Sequence, residues 1–284
     1  MTLTRLSMLA AQWAVAGALL WWGGFPPRLR RGLALLVSAG GLVFLVLALN
    51  TPGRREAATT GGFLIGSAYV TGKASASASL PYYVLTGLCL LLGTAGLALP
   101  DTAARALRRH WLATAIGLSI GVTVVRLMLE RAAAPPRLAW AFGVTALAPV
   151  AGAYFARCLR ADRPAGFGWG PLLRALAVYG LAVRGWVALL YTAATLAHFG
   201  STHYDVSIVS GAHNPITGDW SVFQPASLHQ VVALVALPQL LFWPVYTVIA
   251  GLIGAGVMAL AWRGRGRESQ PAPGAVEMTA APQD

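Results

Sequence analysis

The sequence predicts an all-α, polytopic integral membrane protein with seven transmembrane helices, and three observations support that fold class. Of its 284 residues only 11% are charged and 57% are hydrophobic, whereas soluble domains carry about 25% charged residues. Several apolar runs approach about 20 residues, the length that an α-helix needs to cross a bilayer. The arginines are grouped in short clusters between these runs, which is how membrane topology is encoded.

Seven apolar stretches are predicted to form the spans, and turn or basic residues separate them. They are residues 6–22, 33–49, 82–99, 111–129, 138–159, 171–197 and 228–262. Pro149 is expected to kink the fifth helix. The last stretch would measure roughly 52 Å at 1.5 Å per residue, well beyond the hydrocarbon core. Either Pro238 and Pro244 bend it, or its first turns lie on the outer surface.

The distribution of basic residues predicts an outside N-terminus and a cytoplasmic C-terminus. Thirteen arginines fall at the four sites assigned to the cytoplasm and seven basic residues at the outer sites, as the positive-inside rule requires. Residues 1–267 are predicted to form one bundle, and 268–284 a disordered cytoplasmic tail. Segment 54–80 is expected to be a surface or re-entrant segment. The clustering of the arginines between apolar runs favours membrane topology over nucleic-acid binding as the reason for the positive charge. The bias towards arginine over lysine fits a GC-rich bacterial genome, so the chain is expected in a bacterial inner membrane.

One loop, residues 198–229, differs from the rest of the chain and is called the histidine loop below. It holds four of the five histidines and no lysine or arginine, so it is predicted to be extracytoplasmic. Imidazole and carboxylate are ligands for divalent transition metals such as zinc, copper or iron. The candidate ligands are His198, His203, Asp205, His213 and His229.

The positions of four of these residues favour a shared metal site, whereas their spacing and the interface preference of histidine argue against one. His198 and His229 lie at the facing ends of helices six and seven, and His203 and Asp205 share one side of an extended strand. The sequence, however, has no HExxH motif and no pair of histidines four apart. Histidine also favours membrane interfaces, together with tryptophan and tyrosine. Packing at the interface is therefore the alternative, and haem would need axial histidines deeper in the membrane.

Arg184 is the second candidate site because it falls near the middle of the sixth predicted helix. A central arginine costs at least about 2.5–3.5 kcal/mol on insertion scales, so it should face the bundle or a wet cavity. One interpretation is a site for an anion, a lipid headgroup or a quinone. The alternative is a structural arginine that ties helices together or snorkels to the interface.

Local patterns add four smaller predictions. Arg126 and Glu130, four residues apart, are expected to pair at a helix end. A capping box at Ser227 should begin the last helix. Gly117 and Gly121 form a GxxxG pair that permits close helix contact. The two cysteines, Cys89 and Cys158, lie in different helices and are expected to pack rather than to form a disulfide.

Several functional classes are disfavoured because the sequence lacks the residues that they require. No acidic residue lies within a predicted helix core, which argues against a proton-driven transporter, and the last helix has no lysine for retinal. No catalytic triad has supporting context. The sequence favours a non-catalytic integral subunit or accessory protein, with the bilayer and other membrane-complex subunits as partners. The alternatives are a metal-binding protein or metalloenzyme that uses the histidine loop, and a lipid or anion carrier centred on Arg184.

Overall fold

A computed structural model of the protein describes residues 3–50, 63–65, 68–70, 80–132, 143–162, 168–200, 202–213 and 218–268. These residues are mostly helical. The helices are α1 (Leu3–Trp22), α2 (Pro27–Asn50), α3 (Leu80–Ala98), α4 (Asp101–Arg109), α5 (Trp111–Arg131), α6 (Val144–Asp162), α7 (Trp169–Leu196), α8 (Leu228–Val231) and α9 (Trp243–Glu268). Two antiparallel strand pairs are formed by β1 (Phe63–Ile65) with β2 (Ala68–Val70) and by β3 (Gly211–His213) with β4 (Trp220–Val222).

The predicted helical stretches are confirmed, and their ends shift by a few residues. The fifth is described from Val144 onward, and its first residues lie outside the described part of the chain. Most of segment 54–80 and all of 269–284 also lie outside it, so the predictions for these segments are not tested.

Among the described helices, four are long and apolar enough to cross a membrane: α2, α5, α7 and the continuous helix Leu228–Trp262, which includes α8 and most of α9. A fifth span is added if α3 and α4, which meet at 95°, count as one bent span. Within the described residues, α1 and α6 are not among these candidates. Length and composition therefore support four or five of the seven predicted spans.

Helix α6 lies at the centre of the packing and contacts α1, α5, α7 and α9. A Cβ at Gly152 of α6 would collide with the backbone of Gly251, and one at Gly254 would collide with the carbonyl of Pro149. The backbones of α6 and α9 therefore touch, which only glycine permits. The close contact that Gly117 and Gly121 would permit is not made with any described residue, because both glycines face open space.

Aromatic side chains fill the space between α5, α6 and α7. The ring of Phe155 lies 4.8 Å from that of Trp111 and 5.7 Å from that of Tyr179. Tyr179 shares a 2.7 Å hydrogen bond with Ser119, so its buried hydroxyl is paired. A smaller cluster around Trp22 joins α1 to α2 and α3. The α2–α3 pair therefore packs on the bundle through α1.

The prolines of the last helix change its hydrogen-bond register. Two π-helical segments, Val232–Ala236 and Pro238–Phe242, lie between α8 and α9. Proline lacks an N–H and cannot continue the ordinary i to i−4 pattern, and a π turn accommodates the break by bonding to i−5. Leu237 and Trp243, whose N–H groups donate to Val232 and Pro238, each show this spacing.

Candidate functional site

Glu130, the penultimate residue of α5, is the group to which the histidine loop is attached. One carboxylate oxygen accepts from the Thr202 hydroxyl at 2.6 Å and from the His203 backbone N–H at 3.4 Å. The other lies 2.7 Å from Nδ1 of His203 and 3.2 Å from Nε of Arg126. The predicted pair of Arg126 and Glu130 is thus confirmed. The same carboxylate also fixes a loop about 70 residues further along the chain.

Aromatic rings surround this carboxylate. Tyr191 of α7 packs edge-on against His203 and Tyr204, with ring centroids 5.8 and 4.9 Å apart. The guanidinium of Arg126 lies 5.8 Å from the centre of the Tyr204 ring. Burial raises the pKa of the Tyr204 hydroxyl, so this tyrosine stays neutral. The loop therefore contacts α5 and α7 through a neutral aromatic face and through the paired charges of Glu130 and Arg126.

The pKa of His203 depends on its burial among the aromatic rings and on the charges of Arg126 and Glu130. Burial lowers the pKa of its imidazole below 6.5, and the nearby charge of Arg126 lowers it further. The hydrogen bond to Glu130 acts in the opposite direction without outweighing them. The neutral imidazole therefore donates its Nδ1–H to the ionised carboxylate.

Asp205 organises the first half of the loop from within. Its carboxylate accepts from the backbone N–H of Gly200 at 2.7 Å and of Ser207 at 2.8 Å. Burial by itself would raise the pKa of Asp205, but hydrogen bonds from Ser207 and Gly200 outweigh it and lower the pKa. Asp205 therefore stays ionised and holds the turn closed.

Thr195 and Gln230 attach the loop to the two helices that flank it. Thr195 of α7 accepts from the N–H of Val206 at 3.1 Å. The fully buried amide of Gln230 donates to the carbonyls of Val206 and Val209 at 2.7 and 2.8 Å and accepts from the N–H of Ala226. The predicted capping box is confirmed in part: Ser227 caps the N–H of Gln230, but the reciprocal bond goes to Ala226.

The structure places the predicted metal ligands on separate partners. His203 binds Glu130, Asp205 binds backbone N–H groups, and His229 stacks on Phe223 with ring centroids 5.0 Å apart. His198 and His213 are exposed. No three His, Cys, Asp or Glu side chains of the described residues form a group that could hold a metal.

One geometric expectation behind the metal site was wrong. The chain at His203 and Asp205 is a turn rather than an extended strand, because the N–H of Asp205 donates to the Thr202 carbonyl at 3.2 Å. The two side chains consequently reach different partners. Metal binding stays a prediction that the placement of these residues does not strengthen.

Arg184 faces the bundle, as predicted, and is buried between α7 and α9. Its Nε donates to the hydroxyl of Thr247 at 3.0 Å, and its guanidinium lies 4.8 Å from the centre of the Trp243 ring. These contacts are those of an arginine that ties two helices together, the structural alternative. The anion or lipid site at Arg184 stays a prediction.

Thr202, His203, Asp205 and Gln230 thus bind the bundle or the loop backbone, whereas large apolar side chains of the described loop residues face outward. Ile208, Trp220, Val222 and Leu228 are 76%, 65%, 71% and 80% exposed. Trp220 and Val222 are two apart on β4 and share one face of the β3–β4 hairpin.

Sequence reasoning identified the loop but missed Glu130 and Gln230 as the residues that hold it. The available signals were weak: Glu130 is one of only nine acidic residues in the chain, and it lies at a predicted helix end. Comparisons with protein-family models, with curated proteins and with solved structures found no match to this chain. Its function is therefore inferred from its own geometry.

Proposed function

We propose that this chain is a non-catalytic, multi-pass subunit of a bacterial inner-membrane complex. Its seven long helices each cross the membrane, with the N-terminus outside and the C-terminus in the cytoplasm. The histidine loop then faces the extracytoplasmic side and forms a rigid docking surface for another subunit. The cation-free composition of this loop and the arginines at the other helix ends support that orientation.

The observation that carries the proposal is that exposed apolar side chains accompany a backbone that hydrogen bonds fix at Gly200 and from Asp205 to Val209. Trp220 and Val222 are neighbours on one face of the hairpin, and soluble surfaces rarely expose large apolar patches unless they bind something. Tryptophan is also enriched among residues that dominate binding energy. Because buried hydrogen bonds from Gln230 and to Asp205 already fix the backbone, docking would cost little conformational entropy.

The interaction is tested by replacing the outward apolar residues. The complex is extracted from native membranes in mild detergent and separated by native electrophoresis. The wild type should migrate well above the 29.7 kDa monomer, and the double variant Ile208→Ser, Val222→Ser should shift to the monomer. Ile253→Ser with Val257→Ser, which removes equally exposed side chains from α9, is the matched control and should leave the complex intact.

The orientation is tested separately with a membrane-impermeant thiol reagent on cells that express a cysteine-free variant. Asp219→Cys in the loop should be labelled in intact cells, and Asp284→Cys only after lysis. Labelling of both on one side would overturn the topology. A wild-type chain that is monomeric in native membranes and turns over a substrate would overturn the subunit assignment.

A further inference from the structure

Helix α4 lies at the end of the bundle opposite the histidine loop and has two different faces. Ala104 is buried and Leu107 packs against Gly23 of α1, whereas Arg105, Arg108 and Arg109 are exposed. The 95° bend after α3 turns α4 across the bundle end. A short helix with an apolar inner face and an arginine-rich outer face is suited to the membrane interface.

The single acid of α4 does not neutralise these arginines. Asp101, at the first position of the helix, forms ion pairs with Arg30 and Arg31 of α2. Arg105 lies one turn further along α4, and Arg108 and Arg109 lie at its other end, about 10–12 Å away at 1.5 Å per residue. The outer face of α4 therefore keeps a concentrated positive charge.

A shallow groove of about 420 Å³, wide open at the surface, lies where α4 meets α5. Its lining is formed by Arg109, His110, Trp111, Leu112, Ala113 and Ile116. Because α5 runs from this point into the bundle, the charged and polar residues stand at the rim and Ile116 lies deeper, about 8 Å along the axis from Trp111. The groove thus passes from a cationic mouth to an apolar wall.

We propose that this groove binds an anionic phospholipid from the surrounding leaflet. The headgroup phosphate lies against Arg109, with Arg105 and Arg108 adding attraction, and the upper part of an acyl chain covers Leu112, Ala113 and Ile116. Charge complementarity selects an anion, and the apolar wall selects a lipid over free phosphate, which would leave that wall uncovered. Tryptophan and arginine at the headgroup level are typical of membrane interfaces.

This site differs from the one predicted at Arg184. Arg184 lies between α7 and α9 and has protein partners there, whereas the α4–α5 groove opens on the surface of the bundle.

The experiment titrates the full-length chain in detergent with phosphatidylglycerol and counts bound lipid by native mass spectrometry. Phosphatidylcholine and inorganic phosphate are the comparison ligands. Each arginine near an anionic lipid contributes about fivefold in affinity. Arg109→Gln should therefore weaken phosphatidylglycerol binding about fivefold, and Arg105→Gln, Arg108→Gln, Arg109→Gln together about 100-fold. Arg28→Gln, an exposed arginine of α2 outside the groove, should leave binding unchanged.

A second pair of variants tests the apolar wall. Ala113→Trp should fill the groove and displace the lipid without removing charge, whereas Gly87→Trp, at an exposed position of α3 with open space around it, should not. Thermal unfolding confirms that both variants fold, and the arginine series decides the outcome if Ala113→Trp does not.

Three results would overturn the proposal. One is unchanged lipid binding by the triple arginine variant. Another is equal binding of the anionic and zwitterionic lipids. The third is full competition by inorganic phosphate with no effect of Ala113→Trp, which would assign the groove to free phosphate.

Discussion

The two ends of the bundle are held together by different chemistry. At the loop end, one carboxylate, Glu130, accepts hydrogen bonds from a hydroxyl, an imidazole, a guanidinium and a backbone N–H. Arginines lie over aromatic rings at both ends, including Arg126 over Tyr204 and Arg131 over Phe199 at the loop end. At the basic end, where α4 lies, arginines outnumber acids, and most of them rely on such rings and on carbonyls without a shared carboxylate. Arg157 lies 3.6 Å from the centre of the Phe25 ring and donates to the Gly24 carbonyl at 3.2 Å, and Arg160 lies over Trp262.

This difference indicates how strongly the loss of one side chain should destabilise each end of the bundle. Directional hydrogen bonds converging on one carboxylate make the attachment of the loop to α5 depend on a single residue, whereas Thr195 and Gln230 attach it to α7 and α8. Cation–π contacts are each worth about 0.5–2 kcal/mol and are spread over several arginines, so the basic end tolerates the loss of one. Its exception is Arg30, which is 1% exposed and pairs with Asp101. There a single acid compensates a buried charge.

The largest loss of stability is expected from breaking the Arg30–Asp101 pair. Asp101→Ala leaves the buried guanidinium of Arg30 without its partner, and such a loss costs about 3–5 kcal/mol in a fully buried pair. We expect about 3 kcal/mol because Asp101 is partly exposed. The measurement is the free energy of unfolding in mixed detergent micelles.

Two controls accompany this variant. Arg30→Met with Asp101→Ala should recover most of the loss, since no unpaired charge remains buried. Arg31→Gln removes an exposed arginine 3.8 Å from the same carboxylate and should cost less than about 1 kcal/mol. If Asp101→Ala and Arg31→Gln destabilise the chain equally, the stability of the basic end does not depend on the pairing of Arg30 with Asp101.

The next effect is at the loop end. Glu130→Gln removes the charge that strengthens the bonds from Arg126 and His203, and hydrogen bonds to charged groups are worth about 1.5–3 kcal/mol. We expect the loop to lose about 2 kcal/mol of local stability while the contact of α6 with α9 is unchanged. Hydrogen exchange should speed up across 202–207 only.

Asp162→Asn is the matched control for this variant. It changes an exposed acid at the end of α6 and should leave exchange in the loop unchanged. Slow exchange across 202–207 in Glu130→Gln would show that Asp205 and Gln230 hold the loop without α5.

The two ends also show how far sequence can predict this molecule. Helix positions follow from apolar run lengths, and the pair of Arg126 with Glu130 follows from four-residue spacing, because both are local properties. Which glycines touch another helix depends on how each helix is rotated, and no local pattern records that. Gly117 and Gly121 carry the familiar motif yet face outward, whereas Gly152 packs against α9.

The same limit applies to the candidate site. The composition of the histidine loop marked it as unusual, but a list of ligand-type residues does not give the direction of their side chains. The backbone turns at His203 and Asp205, so their side chains reach different partners. Glu130, the partner of His203, lies 73 residues earlier in the chain, so no sequence spacing could connect them.

The smallest expected effect is the dependence of the loop on pH. Burial and Arg126 lower the pKa of His203 below 6.5 when the loop is packed against the bundle. In acidic solution the loop therefore binds more protons when it is detached from the bundle than when it is packed against it. Loop stability should therefore be complete at pH 7.5 and fall as the pH drops through about 6.5. Hydrogen exchange of 202–207 at pH 5.5 and 7.5, corrected for the intrinsic rate, measures it.

His203→Asn should abolish this dependence, because an asparagine amide can donate to Glu130 from the position of Nδ1 but does not titrate. His213→Asn, which changes an exposed histidine of the same loop, should keep it. Protection that rises as the pH falls would mean that Glu130 binds the charged imidazole more tightly than the neutral one. Electrostatic attraction would then outweigh burial at this position, and the loop end would resemble the Arg30–Asp101 pair at the basic end.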